Sequence, residues 1–301
     1  MFLLSVVVPA YNERQNIEST VRSIPRAELE AAGFGVEVLV VDNGSTDGTG
    51  ELARAMGARV IVQPVRGYGN AYKAGIENST GDIIATGDAD LTYPFGILPE
   101  ALSFMRAKQL DFLSTNRLES VTPESMSSSH LMGNLVLSAM ARAMFRVPFR
   151  DSQSGMWIFN RSVWQSLRVR SGGMAFSQEI KLEAHRRGFR CAELPITYAP
   201  RGGEAKLRTL RDGMKVGSHL LLHRLRRSSR PVPASSVPQV PVPTAAPTLA
   251  PLPVGTAAGK NPVMTVHAKS AVVRPAGKSP VARPAGKILG TGVARKRASS
   301  N

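Results

Sequence analysis

The chain has 301 residues, 43% of them hydrophobic, which is the composition of an ordinary globular protein with a sizeable core. Its formal net charge of +16 is unevenly spread, because residues 226–301 hold 12 Lys and Arg and no acid, whereas residues 1–225 hold 26 Lys and Arg against 22 Asp and Glu. The single cysteine, Cys191, excludes an intrachain disulfide and fits a reducing cytoplasm, and no apolar run reaches the roughly 18 residues of a transmembrane helix.

Short apolar runs recur along the first 200 residues and are separated by segments with helical spacing. We predict strands over Leu3–Val8, Val36–Val41, Arg59–Gln63, Asp82–Thr86, Asp111–Thr115 and Cys191–Pro195. The first five begin about 20–35 residues apart, which leaves room for a helix after each strand. This alternation predicts an α/β fold with a mostly parallel sheet covered by helices on both faces.

Two longer helices are predicted in the second half of the chain. The first covers Ser128–Phe145, and the second covers Leu207–Arg227, where apolar residues at helical spacing lie among six Arg and Lys residues. The second helix is therefore basic and amphipathic. This pattern fits either a C-terminal helix packed on the domain or a helix lying on an anionic membrane surface.

From residue 228 onward the chain is rich in Pro, Ala, Val, Ser, Thr and basic residues, and the pentapeptide Arg-Pro-Ala-Gly-Lys occurs at 274–278 and 283–287. We expect this segment to be disordered, because it has many prolines and almost no aromatic residues. The predicted organisation is a folded domain over 1–227 and a basic tail over 228–301. The tail would either contact anionic lipid or nucleic acid, or only keep the protein soluble.

Two aspartates, Asp88 and Asp90, directly follow the fourth predicted strand. Since alternate residues of an extended chain share one side, their carboxylates are expected to point the same way. Hard oxygen ligands suit Mg²⁺ or Mn²⁺, particularly when phosphates of a ligand complete the shell. Tyr11 and Asp42 follow the first two strands, and ligands bind at the carboxyl ends of parallel strands. We therefore expect these four residues to meet in one cleft.

Several motifs together carry a resemblance to a known family. In chain order they are Val8-Pro9-Ala10-Tyr11-Asn12-Glu13, Val41-Asp42-Asn43-Gly44-Ser45-Thr46-Asp47-Gly48-Thr49, Arg66-Gly67-Tyr68-Gly69-Asn70-Ala71 and Gly87-Asp88-Ala89-Asp90. Their order and spacing resemble the family 2 glycosyltransferases, which have the Rossmann-like GT-A fold. Three later segments, 151–156, 193–196 and 201–207, are similar to the branch that transfers sugars to dolichyl or polyprenyl phosphate. The resemblance covers roughly residues 3–225.

The resemblance implies where a nucleotide sugar such as GDP-mannose or UDP-glucose binds. The residues that match the nucleotide and pyrophosphate positions are Pro9, Tyr11, Glu13, Asp42, Asp88, Ala89 and Asp90. Carboxylates at such positions accept hydrogen bonds from base N–H groups or ribose hydroxyls. Asp88 and Asp90 would also hold Mg²⁺ or Mn²⁺. This chain has Thr92 where the branch often has Gln, so the surroundings of the metal are expected to differ.

The resemblance also implies a phosphate acceptor, which is already an oxyanion at neutral pH and needs cations rather than a general base. Arg117 matches the residue that contacts the acceptor phosphate. Arg201 and Lys206 flank a glycine-rich loop that is expected to close over the site. Ala205 replaces the serine of the usual Gly-x-Ser-Lys motif, which removes one hydrogen-bond donor.

Glu179 leaves two interpretations open. It matches the position at which relatives with a hydroxyl acceptor carry their catalytic base, and otherwise it is a glutamate on the surface of a helix. Asp151 is expected to orient the loop before Ser154-Gly155.

The preferred hypothesis is an inverting, metal-dependent enzyme that moves mannose or glucose to a polyprenyl phosphate. It would work peripherally at the inner, cytoplasmic face of the cell membrane, in contact with anionic lipid. The alternative is a GT-A glycosyltransferase with a hydroxyl acceptor and Glu179 as base. A third hypothesis is a surface or nucleic-acid binding protein that acts through its basic tail, although nothing in residues 1–225 favours nucleic acid.

Overall fold

The computed structural model describes residues 1–202 and 209–225. The strands in these ranges are β1 Phe2–Ala10, β2 Phe34–Asp42, β3 Arg59–Val62, β4 Ile83–Thr86, β5 Phe112–Asn116, β6 Trp157–Asn160 and β7 Cys191–Pro195. The helices are α1 Arg14–Arg22, α2 Arg26–Ala31, α3 Thr49–Ala55, α4 Tyr68–Asn78, α5 Leu98–Ala107, α6 Ser128–Phe145, α7 Arg161–Ser166, α8 Phe176–Arg186 and α9 Thr209–Leu225. Lys206 and the tail predicted over 228–301 lie outside the described residues.

The strands form one sheet in the order β3-β2-β1-β4-β6-β5-β7, in which only the pairs that involve β6 are antiparallel. The predicted mostly parallel sheet is confirmed, and each of the six predicted strands is present with bounds within two residues. β6 is missing from the prediction because four residues carry little pattern, and because a strand inserted between β4 and β5 breaks the βα alternation.

The two faces of the sheet bury different helices. Leu4, Val6 and Val8 of β1 point into an apolar core formed with α1, α2 and α5, whereas Val7 points into a second core formed with α4, α6 and α8. All four side chains are fully buried. Because burial of such a side chain contributes about 1.5–3 kcal/mol, the central strand holds the two helical layers together.

The last described helix packs on α6. Val216 and Leu220 of α9 are buried, while Leu221 and Leu222 are 54% and 55% exposed. The interpretation of this segment as a helix packed on the domain is therefore confirmed. The packing nevertheless leaves apolar side chains of α9 at the surface. Among the described helices, none is long and apolar enough to cross a membrane.

Candidate active site

A cleft of about 650 Å³ opens at the carboxyl ends of β1, β2, β4 and β5. Its lining includes eight of the predicted site residues: Pro9, Tyr11, Glu13, Asp88, Ala89, Asp90, Arg117 and Arg201. Asp42 and Glu179 are not part of the lining. Parallel strands end at the same edge of a sheet, which is why residues from four distant segments meet here.

The β1 and β2 side of the cleft combines aromatic, basic and polar groups. The guanidinium of Arg66 lies over the ring of Tyr11, 4.3 Å from its centroid, which is a cation–π contact. The amide of Asn16 donates to a carboxylate oxygen of Glu13 at 2.7 Å. Asp42, which is not part of the lining, accepts a hydrogen bond from the backbone N–H of Ser45 at 2.8 Å. Asp42 therefore shapes the turn after β2.

Asp88 lies at the centre of the cleft on the turn that follows β4. The hydroxyl of Tyr72 donates to Oδ1 of Asp88 at 2.8 Å. Burial and the negative charge of Asp90 raise the pKa of Asp88 to about 7. The electrostatic balance of this turn therefore favours an added positive charge.

Asp90 is held by groups from two parts of the chain. Leu91 adopts a left-handed conformation with φ of 66°, which turns the chain back so that the hydroxyl of Thr92 donates to Oδ1 of Asp90 at 2.6 Å. Arg201, which follows β7, forms an ion pair with Oδ2 of Asp90 at 2.6 Å. Thr92 therefore orients the second aspartate by a short local contact.

The chemistry of these groups fits a divalent cation. Asp88 and Asp90 offer two carboxylates in a largely buried turn, and the pKa of Asp88 is raised by burial and by the negative charge of Asp90, both of which a bound cation would offset. Among the described residues, no group of three or more His, Cys, Asp or Glu side chains is placed to hold a metal. A Mg²⁺ or Mn²⁺ ion at this turn would therefore need oxygen ligands from a bound substrate.

Arg117 lies on the far side of β4 from the Tyr11 wall, and it is only 8% exposed. Its Nε and Nη2 donate to the two carboxylate oxygens of Asp151 at 2.7 and 3.0 Å. Burial alone would raise the pKa of Asp151, but the charge of Arg117 lowers the pKa below its ordinary value. Asp151 thus holds Arg117 in place, in addition to its predicted part in the loop.

Glu179 differs from the prediction of a surface glutamate, because its side chain is fully buried in the first turn of α8. Its Oε2 accepts hydrogen bonds from the backbone N–H groups of Ser171 at 2.7 Å and Arg170 at 3.1 Å. Nε2 of His219, which belongs to α9, lies 3.7 Å from the same oxygen. The carboxylate therefore anchors the loop before α8 rather than facing the cleft.

Some residues of the lining escaped the sequence reasoning. Tyr93 and Tyr198 stack edge to face beside the carboxylates, with ring centroids 5.4 Å apart. Both follow strand ends, so the rule that located Tyr11 also applies to them. His219 carries no such signal, because its place in the cleft depends on how α9 packs.

The family model described as glycosyl transferase family 2 matches residues 5–167. The chain is 39% identical over 222 residues to the low-salt glycan biosynthesis hexosyltransferase Agl6 of Haloferax volcanii, covering 73% of this chain but about half, 53%, of that protein. It is 33% identical over 218 residues to the dolichyl-phosphate hexose transferase of the same organism, covering 72% of this chain and 92% of the relative.

Solved structures share the fold. Glucosyl-3-phosphoglycerate synthase from Mycobacterium tuberculosis with Mg²⁺ and uridine diphosphate has a TM-score of 0.56 and 25% identity, covering 77% of this chain and 81% of that one. The same synthase with Mn²⁺, UDP-glucose and phosphoglyceric acid has a TM-score of 0.56 and 23% identity, covering 74% and 79%.

Proposed function

Because the chain belongs to glycosyl transferase family 2, we propose that it transfers a hexose from a nucleotide diphosphate sugar to a polyprenyl phosphate. One observation carries this proposal: a single cleft is lined by the carboxylates of Asp88 and Asp90, by the Tyr11 wall and by two arginines, Arg117 and Arg201. The relative known as a dolichyl-phosphate hexose transferase, which the chain matches over 92% of its length, supports the lipid acceptor.

The donor binds, in this proposal, with its base and ribose on the β1 and β2 side. Tyr11 and Arg66 present a ring and a guanidinium plane, and Glu13 presents a carboxylate that accepts hydrogen bonds from hydroxyls or base N–H groups. Either GDP-mannose or UDP-glucose suits these groups. Asp88 and Asp90 would hold Mg²⁺ or Mn²⁺, which when bound neutralises charge on the departing nucleoside diphosphate.

The reaction needs positioning more than proton transfer. An oxygen of the acceptor phosphate forms a bond to the anomeric carbon, and the bond from that carbon to the nucleoside diphosphate breaks with its electron pair. Because attack comes from the opposite side of that carbon, the anomeric configuration inverts. Arg117 orients the acceptor phosphate, and its own geometry is fixed by the buried carboxylate of Asp151.

The hydroxyl-acceptor alternative is less well supported, since it requires Glu179 to accept a proton inside the cleft. Glu179 is fully buried, lies outside the lining, and already accepts two backbone hydrogen bonds. A phosphate acceptor removes the need for such a base.

We further propose that the protein works peripherally at the inner face of the cell membrane, where a lipid acceptor presents its phosphate. The packed pair α6 and α9 supports this location by its exposed apolar side chains, Met132, Leu135, Val136, Leu221 and Leu222. Apolar side chains beside basic ones are typical of surfaces that lie on anionic lipid.

The direct test is to incubate the purified full-length protein with Mn²⁺, polyprenyl phosphate and a panel of labelled nucleotide sugars that includes GDP-mannose and UDP-glucose. We expect label to become soluble in organic solvent with one of them. The matched control acceptor is the polyprenol that lacks the phosphate. Equal labelling of the polyprenol would contradict the phosphate acceptor, and labelling of neither lipid would contradict the proposal.

The metal assignment is tested by the double change Asp88→Ala and Asp90→Ala. We expect transfer to fall by about a thousandfold or more, because the charge on the leaving group is no longer neutralised, and we expect Mn²⁺ binding measured by calorimetry to be lost. Glu28→Ala with Glu30→Ala removes two exposed carboxylates of α2 at the same spacing and serves as the control. Unchanged Mn²⁺ binding in the aspartate variant would refute the assignment.

A further inference from the structure

A histidine of α9 lies in the wall of the cleft. His219 lines it together with Val216 from the preceding turn of the helix, and the His219 side chain is 16% exposed. Neither residue belongs to the motifs that carry the family resemblance. His219 reaches the cleft because α9 packs across α6, with Leu220 on the buried side of the helix.

The carboxylate behind this ring is buried. Nε2 of His219 lies 3.7 Å from Oε2 of Glu179, whose side chain is fully buried. The same oxygen accepts the backbone N–H groups of Arg170 and Ser171, so the position of the carboxylate is fixed independently of the histidine. A fixed carboxylate beside an imidazole orients the ring.

The surroundings of His219 distinguish it from the arginines near the carboxylate pair. Met174, Ala175 and Val216 line the same cleft and are apolar. An imidazole N–H donor beside apolar side chains matches an amphiphile that carries a phosphate on a hydrocarbon chain. A nucleoside diphosphate has no comparable apolar part.

We propose that His219, positioned by Glu179, is a second contact for the acceptor phosphate, next to the point where the isoprenoid chain leaves the cleft. This inference rests on the proposed function, because it takes the acceptor to be a polyprenyl phosphate. Glu179 is then a positioning residue that acts through His219. This positioning role differs from both interpretations that the sequence left open for Glu179, the general base and the glutamate on the surface of a helix.

A binding experiment tests this contact without turnover. The chain has five histidines, so ring ¹H–¹⁵N spectra of the ¹⁵N-histidine-labelled full-length protein contain few signals, and His219→Gln identifies the signal of His219. We expect farnesyl phosphate to shift that signal and not the signal of His223, which is buried against Glu183 one turn later. An unmoved His219 signal, or an equal shift with inorganic phosphate at the same concentration, overturns the inference.

Steady-state kinetics provide the second measurement. We expect His219→Gln to raise KM for polyprenyl phosphate about 10- to 100-fold, the usual effect of losing a charged hydrogen bond, with kcat and the donor KM changed less than about threefold. His223→Gln is the matched control, which should lower Tm and leave the acceptor KM unchanged. An unchanged acceptor KM in His219→Gln would count against the contact. If the wild-type enzyme labels no lipid, the proposed function fails, while the spectra still decide the role of His219.

Discussion

Asp90 has two contacts, one with a residue close to it in the sequence and one with a residue far from it. The hydroxyl of Thr92 reaches it from two residues away, whereas Arg201 reaches it from the segment after β7. The same contrast holds for Arg117, whose partner Asp151 lies 34 residues further along the chain. Local contacts such as that of Thr92 follow from the turn itself, but the distant partners depend on which strands are neighbours.

Glu179→Gln separates the two acceptor classes at the level of one residue. With a phosphate acceptor we expect kcat to stay within about tenfold and the acceptor KM to rise several-fold, because the amide still accepts a backbone hydrogen bond but orients the ring of His219 less firmly. With a hydroxyl acceptor, kcat would instead fall several hundredfold, because a general base typically accelerates such a reaction by about 10²–10⁴-fold. Initial rates over both substrate concentrations decide between them.

Lys181, which contacts Asp151, makes the stability of the folded protein depend on pH. Its Nζ donates to the backbone carbonyl of Asp151 at 2.6 Å, and burial lowers its pKa from 10.5 to about 8. At pH values between these two pKa values, the unfolded chain binds more protons at Lys181 than the folded protein does. The contribution of Lys181 to stability therefore increases as pH rises, by about 3 kcal/mol at most.

Urea unfolding of the wild type and of Lys181→Met at pH 8 and pH 10 measures this effect. We expect the wild type to gain stability relative to the variant at the higher pH. Taking the difference removes the contributions of groups common to both proteins, such as Cys191, whose raised pKa acts in the opposite direction. The same difference at both pH values would contradict the assignment.

At the scale of elements, the loop before β6 joins the two halves of the cleft. The backbone N–H of Gly155 donates to the hydroxyl of Tyr93 at 2.6 Å, and the carbonyl of Gly155 accepts from Thr86 of β4 at 2.9 Å. A side chain at this glycine would collide with the hydroxyl of Tyr68. The loop is therefore packed against β4 and α4 as closely as the backbone allows.

Gly155→Ala tests this packing. We expect the free energy of unfolding to fall by about 1–3 kcal/mol, since the new methyl group has no space unless the loop or α4 moves. Gly96→Ala is the control, because a methyl group there meets no atom within 4 Å. Thermal and urea unfolding of the two variants measure the difference. Equal stability of the two would mean that the loop accommodates the methyl group without loss of stability.

For the whole molecule, the proposed active-site cleft and the apolar surface of α6 and α9 share one helix. His219 of α9 lines the cleft, while Leu221 and Leu222, two and three positions later, are more than half exposed. Successive residues of a helix point in different directions, so one helix serves both a cleft and a surface. A lipid acceptor suits this arrangement, because its head and its chain need different environments.

Leu221→Gln with Leu222→Gln tests the membrane contact. We expect binding of the full-length protein to vesicles that contain phosphatidylglycerol to weaken about tenfold, because two apolar side chains no longer enter the lipid. Val62→Gln with Val65→Gln changes two equally apolar, exposed residues elsewhere and is the control. Co-sedimentation of both variants with the vesicles measures the difference. Equal weakening of vesicle binding in the two variants, or no weakening in either, would contradict a membrane contact through Leu221 and Leu222.

The sequence by itself determined six strands, the acidic turn after the fourth strand and the family, because strand periodicity and motif spacing are properties of neighbouring residues. Tyr11, Asp88 and Asp90 could be assigned to one cleft for the same reason, since each lies just past the end of a strand, whereas Asp42, assigned by the same rule, is not part of the lining. The tertiary structure alone decided the antiparallel insertion of β6 and the pairing of Arg117 with Asp151. It also decided the burial of Glu179 behind His219. These contacts join segments far apart in the chain, and their partners are chosen by sheet order and helix packing rather than by local pattern.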